Sequence, residues 1–412
     1  MTGFSRAGGT LLCDGVSLEA AAAAHGTPLY VYSRDAIVEA YRSYEAAFAS
    51  VPHRICYSVK ANGSGAILRL MASLGAGADI VSGLELRAAL RAGFAPDHVV
   101  FSGVGKTDEE MAAALDAGIG EFNAESEDEI ARLSALAAAR GRRAGVTLRV
   151  NPDIDARSHP YISTGLRDNK FGVDIGAAPG ILARARERPG IDVAGVQCHI
   201  GSQIRSLEPM TEAVAALVDL TRRLLSEGYA LRTIDIGGGL GVNYEEGTGP
   251  EVAAFAAGVL PHLRGLGLTV LLEPGRSLVA RAGTLLTGVL YVKESHGKRF
   301  VIVDAGMNDL LRPALYKAFH RIEPVAARGR PSRQVDVVGP VCETADAFAR
   351  DRELETVEPG ELLAIRDAGA YGFVMASTYN MRPRPAEVMV EDGGVRLIRR
   401  RETFDDLIAT EV

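Results

Sequence analysis

Short apolar runs alternate with amphipathic stretches from about residue 30 to residue 280. Eight of the runs read as strands: 55–60, 78–81, 98–102, 119–122, 145–150, 193–199, 232–236 and 268–273. Several are near-continuous in Val and Ile, the pattern of strands buried on both faces. The stretches between them, such as 84–92, 108–117, 126–140 and 211–227, are rich in Ala and Leu with Glu and Arg at helical spacing. Ser126 followed by Glu129 reads as a capping box opening one helix. Ser33 reads as the cap of another helix, ahead of the first strand. The alternation predicts an α/β fold, a (β/α)8 TIM-like barrel, with a doubly wound open sheet as the competitor. The run ends favour the barrel. Lys60, Ser82, Ser102, Asn123, Asn151, His199, Gly237 to Gly239 and Glu273 all fall where a run finishes. A closed barrel brings such positions to one mouth, whereas an open sheet spreads them along a line.

The pattern changes after residue 280. Runs at 289–292, 299–303, 334–338, 361–365, 386–390 and 395–398 read as strands separated by turns, with few helices between them. The expected organisation is a barrel over 30–280 and a mostly β second domain over 281–412, joined by residues 1–29. Leu11-Leu12 and Leu29-Tyr30-Val31 are the candidates for an N-terminal strand in that domain.

A chain of 412 residues is long enough for two domains, and its 47% hydrophobic and 24% charged residues are those of a soluble globular protein. The net charge of -7 comes with no basic stripe, which argues against a nucleic-acid partner. No apolar run reaches the roughly 18 residues of a membrane span, and no signal-peptide pattern opens the chain, so a cytoplasmic location is expected. Cys13, Cys56, Cys198 and Cys342 are far apart and form no CxxC pair. Neither a metal site nor a disulfide framework is expected from them, and a reducing compartment fits.

Lys60 closes the first run, in Ile55-Cys-Tyr-Ser-Val-Lys60-Ala-Asn62. Burial disfavours the ammonium form of a lysine, and a neutral amine attacks an aldehyde to form a Schiff base. A lysine that only snorkels from a strand end gives the same local pattern. Gly237-Gly238-Gly239-Leu240-Gly241 follows the seventh run; Val242 breaks any match to the dinucleotide fingerprint. Consecutive glycines let backbone N–H groups turn towards one anion, and Glu273-Pro-Gly275-Arg276-Ser277 after the eighth run adds N–H groups and a guanidinium. Loops after strands seven and eight of a barrel commonly hold phosphate, while a tight turn explains the glycines taken alone. Glu273 ends the apolar run Val270-Leu-Leu272. A buried carboxylate needs a partner, either Arg276 or a protonated ring nitrogen that it keeps cationic. His199 is a core histidine or a ring stacked on a cofactor. Arg312 and Tyr316 stand four apart, so one helical turn would point both at a carboxylate, against the alternative of a surface Arg and a core Tyr. Cys342 would donate a proton to a carbanion and Glu343 would bind an ammonium, although most free cysteines are merely small buried groups.

Together these motifs resemble the fold-type III pyridoxal-phosphate-dependent decarboxylases, over about residues 10 to 405. Tyr57-Ser-Val-Lys60-Ala-Asn62 is similar to the family's Schiff-base segment. HIGSQ at 199–203, GGGLG at 237–241, EPGRS at 273–277, RPALY at 312–316, GPVCE at 339–343 and the stretch from Gly369 through Tyr371 to Met375 are similar to further family motifs. Residues 151–172 resemble the branch acting on diaminopimelate rather than those acting on ornithine or arginine. The resemblance implies an alanine racemase-like fold, pyridoxal 5'-phosphate as cofactor, and decarboxylation of meso-2,6-diaminopimelate to L-lysine. It implies that Lys60 holds the cofactor, His199 stacks on its ring and Glu273 pairs with its ring nitrogen. Ser202, Gly238, Gly239, Gly275 and Arg276 would surround the phosphate, with Tyr371 nearby. Arg276, Arg312 and Tyr316 would grip the distal carboxylate, Glu343 the distal ammonium, and Cys342 would donate the proton. It also implies a homodimer with shared active sites. Leu84, Thr344, Thr378 and Met381 depart from the family pattern, and none of these changes removes a charge. Decarboxylation of ornithine, lysine or a carrier-tethered amino acid is the alternative, and a non-catalytic regulator a further one.

Overall fold

The structure, a computed structural model, describes residues 3–155, 169–246 and 249–412. It divides into two compact units, one of Tyr41–Gly241 and Gly249–Ser277, the other of Met1–Ala40, Val242–Thr248 and Leu278–Val412.

The first unit is a closed parallel barrel. Its strands are β1 (His53–Ser58), β2 (Gly77–Ile80), β3 (Val99–Phe101), β4 (Glu121–Ala124), β5 (Ala144–Asn151), β6 (Ile191–Gln197), β7 (Thr233–Asp235) and β8 (Thr269–Leu272). They pair in chain order, and β8 returns to β1 with Val270 opposite His53 and Leu272 opposite Ile55. Closure leaves no edge among the eight, and burial of both faces makes their sequences largely apolar. The apolar runs overshoot the strands. Val59 and Ala61 are buried in a 3-10 turn beyond β1, so Lys60 lies past the strand rather than closing it. His199 likewise lies two residues beyond β6.

Helices follow most strands, and their first turns are fixed by side-chain caps. Ser82 Oγ accepts from Glu85 N–H ahead of Gly83–Ala92, and Thr107 with Glu110 forms a full capping box ahead of Asp108–Ala117. Ser126 also caps its helix, but the reciprocal half of the expected box is absent. The Glu129 carboxylate turns instead to Lys106 Nζ at 2.7 Å and to Glu125 N–H at 3.1 Å. Lys106 is 1% exposed, and an ammonium that deep requires a carboxylate more than the cap does.

The second unit holds a nine-stranded sheet. Gly283–Ser295 is its longest strand and pairs with Leu29–Ser33, Lys298–Val303 and Leu362–Ile365. Leu29–Ser33 inserts between Gly283–Ser295 and Ala386–Glu391, and Ser33 Oγ accepts Ala36 N–H at 3.0 Å as a cap should. Leu29, Val31, Leu286, Ala364, Val388 and Val390 share one core with Leu11, Cys13 and Leu18 of the N-terminal segment. Two strands of this sheet escaped the apolar pattern. Ala347–Glu355 carries Arg350, Asp351, Arg352 and Glu353 because it lies at one end of the sheet, and Ile322–Pro324 is too short to register.

Candidate active site

The carboxyl ends of the barrel strands carry a buried polar cluster. Lys60 Nζ donates to Asp79 Oδ2 at 2.6 Å, and Ser58 Oγ donates to the same oxygen at 2.7 Å. Lys60 keeps 35% of its side chain exposed while Asp79 is fully buried. The lysine thus meets a carboxylate. Burial alone would raise the Asp79 carboxyl, but the Lys60 charge and the hydrogen bonds from Lys60 and Ser58 outweigh it, and the net direction is down.

Glu273 directly follows β8. Its Oε1 accepts from Asn123 Nδ2 at 2.9 Å and Ser102 Oγ at 3.4 Å, and its Oε2 from Gln197 Nε2 at 3.1 Å. Neutral groups hold it, together with a hydrogen bond shared with Asp235. Arg276, the salt-bridge partner considered from the sequence, donates through Nη2 to Ser202 Oγ at 3.0 Å. Asp235, the last residue of β7, is a third buried acid; Oδ1 takes Gly237 N–H at 2.8 Å and Oδ2 takes Asn123 Nδ2 at 3.3 Å. Burial pushes Asp235 up to about 6, while burial and then the charges of Asp235 and Asp79 push Glu273 well above its ordinary value. Adjacent buried acids do not both ionise, and the proton they retain belongs to the pair.

His199 Nδ1 accepts Gly238 N–H at 3.1 Å, which leaves the ring proton of the neutral imidazole on Nε2. Burial, then the cations of Arg149 and Lys60, lowers its pKa to about 3, so the ring is neutral at physiological pH. The glycine run is needed for close approach. A Cβ on Gly238 would stand 2.1 Å from the Glu273 carbonyl oxygen, and one on Gly239, at φ +104°, 2.3 Å from that of Gly201. Of the run's N–H groups, Gly237 N–H goes to the Asp235 carboxylate and Gly238 N–H to His199 Nδ1. Gly275 packs its Cα side against Ser58 and Ala61, whose Cβ atoms would each be 2.9 Å from an added methyl.

The remaining candidates lie in the second unit. Arg312 is buried at the start of Arg312–Tyr316, with Nη1 2.8 Å from His320 Nε2 and its guanidinium 4.4 Å from the Tyr244 ring centroid. Tyr316, one turn on, is half-buried. Cys342 and Glu343 are exposed, on a loop pinned by buried Asp346, which accepts Val341 N–H and Met307 N–H at 2.7 Å each. Cys342 N–H donates to Asn380 Oδ1 at 3.0 Å, and a hydrogen bond from Tyr379 to Glu343 raises the Tyr379 hydroxyl. Tyr371 adopts φ +55°, a conformation rare for a bulky residue.

Comparison with known proteins places this geometry. A family model for the pyridoxal-dependent decarboxylase pyridoxal-binding domain matches residues 34–280. A diaminopimelate decarboxylase of Pseudomonas aeruginosa is 50% identical over 411 residues, covering 100% of this chain and 99% of that protein. The chain belongs to the diaminopimelate decarboxylase family. Among solved structures, diaminopimelate decarboxylase from Helicobacter pylori complexed with L-lysine superposes with a TM-score of 0.92 at 45% identity, over 95% of this chain and 98% of that one. The M. jannaschii diaminopimelate decarboxylase in co-complex with L-lysine gives 0.95 at 39% identity, over 99% and 97%.

As in other pyridoxal-dependent decarboxylases, a bound pyridoxal phosphate is implied, and the barrel fits one. Asp79 Oδ1, Asn123 Oδ1 and Gln197 Oε1 are buried acceptors with no hydrogen-bond partner among the described residues. All three belong to side chains bonded to Lys60 or Glu273, where a ligand donor such as a protonated ring nitrogen would complete them. An amine, a neutral imidazole and the Ser202–Arg276 pair complete a chemically matched set. Asp79, Asp235, Ser58 and Gln197 were not anticipated. Gly77-Ala-Asp79-Ile80 and Thr233-Ile-Asp235-Ile236 set a carboxylate in an apolar strand, the same signal that singled out Glu273. Most of the branch-specific stretch 151–172 lies outside the described residues; of its described part, Phe171 lies beneath Arg149, 4.7 Å from ring centroid to guanidinium.

Proposed function

We propose that the protein is a cytoplasmic, homodimeric enzyme that decarboxylates meso-2,6-diaminopimelate to L-lysine and CO2. The observation that carries the reading is the barrel-mouth cluster in which the Lys60–Asp79 pair and an amide-held Glu273 occur together. Bound pyridoxal phosphate supplies the electron sink for the carbanion left when CO2 departs.

The side chains of this chain do the rest. Lys60 would tether the cofactor through Nζ, and ionised Asp79 would hold its ammonium whenever the amine is free. Glu273 would pair with the ring nitrogen and hold positive charge there, its carboxylate oriented by Asn123 and Gln197. His199 would stack on the ring as a neutral imidazole. Ser202, Gly238, Gly239, Gly275 and Arg276 form the phosphate cradle, with Tyr371 beside it. Arg276, Arg312 and Tyr316 recognise the distal carboxylate, Glu343 binds the distal ammonium, and Cys342 protonates the product carbon. In the dimer the Cys342–Glu343 loop serves the site of the second copy. Groups placed for a distal carboxylate and ammonium reject substrates lacking them by roughly 10⁴-fold. Purified protein given meso-diaminopimelate, ornithine and L-lysine in turn should release CO2 rapidly from the first alone. Comparable rates on ornithine would overturn the assignment.

A further inference from the structure

The role of His320 rests on the proposed reading of Arg312 as a grip on the substrate's distal carboxylate. A guanidinium is always protonated and only donates. The 2.8 Å contact of Arg312 with His320 Nε2 therefore requires that nitrogen to be the acceptor. The imidazole proton must then be on Nδ1, and Nδ1 indeed lies 2.8 Å from the Arg366 carbonyl oxygen, which can only accept. Both ring nitrogens are thus assigned by their partners, and the tautomer is fixed. The Tyr244 ring packs against His320, with centroids 5.1 Å apart, and also faces the Arg312 guanidinium. His320 itself is fully buried.

We infer that His320 is a positioning residue that sets the plane of the Arg312 guanidinium for the substrate's distal carboxylate. The device is specific in its chemistry. A carboxylate in place of His320 would orient the guanidinium too, but would bring a negative charge next to the group meant to attract one. A neutral imidazole orients through one lone pair and brings no charge. Tyr244 limits tilt by stacking, so hydrogen bond and ring act on the guanidinium from different directions.

The test uses holoenzyme and two inhibitors. L-lysine retains the distal carboxylate, whereas cadaverine has none. Arg312→Ala should weaken inhibition by L-lysine and leave cadaverine unaffected; if it treats both alike, the substrate reading itself fails. His320→Asn keeps a donor for the Arg366 carbonyl but lacks the acceptor that Arg312 uses. It should raise the L-lysine inhibition constant and the KM for diaminopimelate by about tenfold, with kcat changed less than about twofold and cadaverine unaffected. His320→Gln, whose amide oxygen reaches the Nε2 position, should recover L-lysine inhibition to within about threefold of wild type. If Arg312→Ala behaves as stated but His320→Asn is inhibited like wild type, or weakens both inhibitors equally, the role of His320 is overturned while the substrate reading stands.

Discussion

Replacing Asp235 by asparagine should stabilise the cofactor-free protein at neutral pH, although it removes a hydrogen-bonded buried side chain. The carboxyl is lifted from an ordinary 3.8 to about 6, chiefly by burial. A folded value above the unfolded one means that the fold favours the protonated form. The associated stability is complete below about pH 3.8 and is lost as pH rises through about 6. At about 1.4 kcal/mol per unit, the proton shed by the Asp235–Glu273 pair costs the folded state on the order of a few kcal/mol at pH 7.5. Asparagine does not ionise. It retains an oxygen for one of three partners, Gly237 N–H, Asn123 Nδ2 and the Glu273 carboxyl, and sets an NH2 towards the others, a fixed cost of about 1 kcal/mol. The signature is therefore a slope. The melting temperature of apo Asp235→Asn minus that of apo wild type should rise between about pH 4.5 and about pH 7 and then level off. A difference that is constant across this range, or that falls with pH, would refute the placement of an uncompensated acid beside Glu273.

The same geometry gives three more expected outcomes. Gly238→Ala puts a methyl 2.1 Å from the Glu273 carbonyl oxygen, so the apo-protein should lose about 1–3 kcal/mol and its pyridoxal phosphate affinity should fall, read by thermal melts and cofactor titration. Glu273→Gln keeps the shape of the side chain but not its charge. Steady-state kinetics should show kcat reduced by about a hundredfold, the value of a hydrogen bond to a charged group, with the cofactor still bound. Cys342→Ser should slow kcat by about a hundredfold or more if the thiol is the proton donor, with cofactor absorbance unchanged; unaltered kcat would remove it from that role.

The barrel was legible because burial on both faces writes itself as continuous apolar strands, and the eight runs all became strands of one closed sheet. Strand ends were less so. Val59 and Ala61 continue an apolar run through a turn, so hydrophobicity alone could not say that Lys60 lies beyond the strand. Ala347–Glu355 was hidden by its charges, which an end-of-sheet strand tolerates. In the site, Lys60 and Glu273 stood out as charged residues at the ends of apolar runs. Asp79 and Asp235 carry the same mark inside shorter runs, yet which acids share a proton depends on pairing β7 with β8, which sets Asp235 opposite Leu271, a long-range fact. The Ser126–Glu129 box failed in its second half because Lys106, far from it in sequence, claimed the glutamate. His320 gave no signal, since its function is defined only by Arg312 on one side and the Arg366 carbonyl on the other.

The central claim is that the amine at position 60 bears the cofactor. Purified protein saturated with pyridoxal phosphate, reduced with borohydride and digested, should yield one pyridoxyl-modified peptide by mass spectrometry, with the modification on Lys60. A pyridoxyl group on a different lysine, or no covalent adduct at all, would contradict the account.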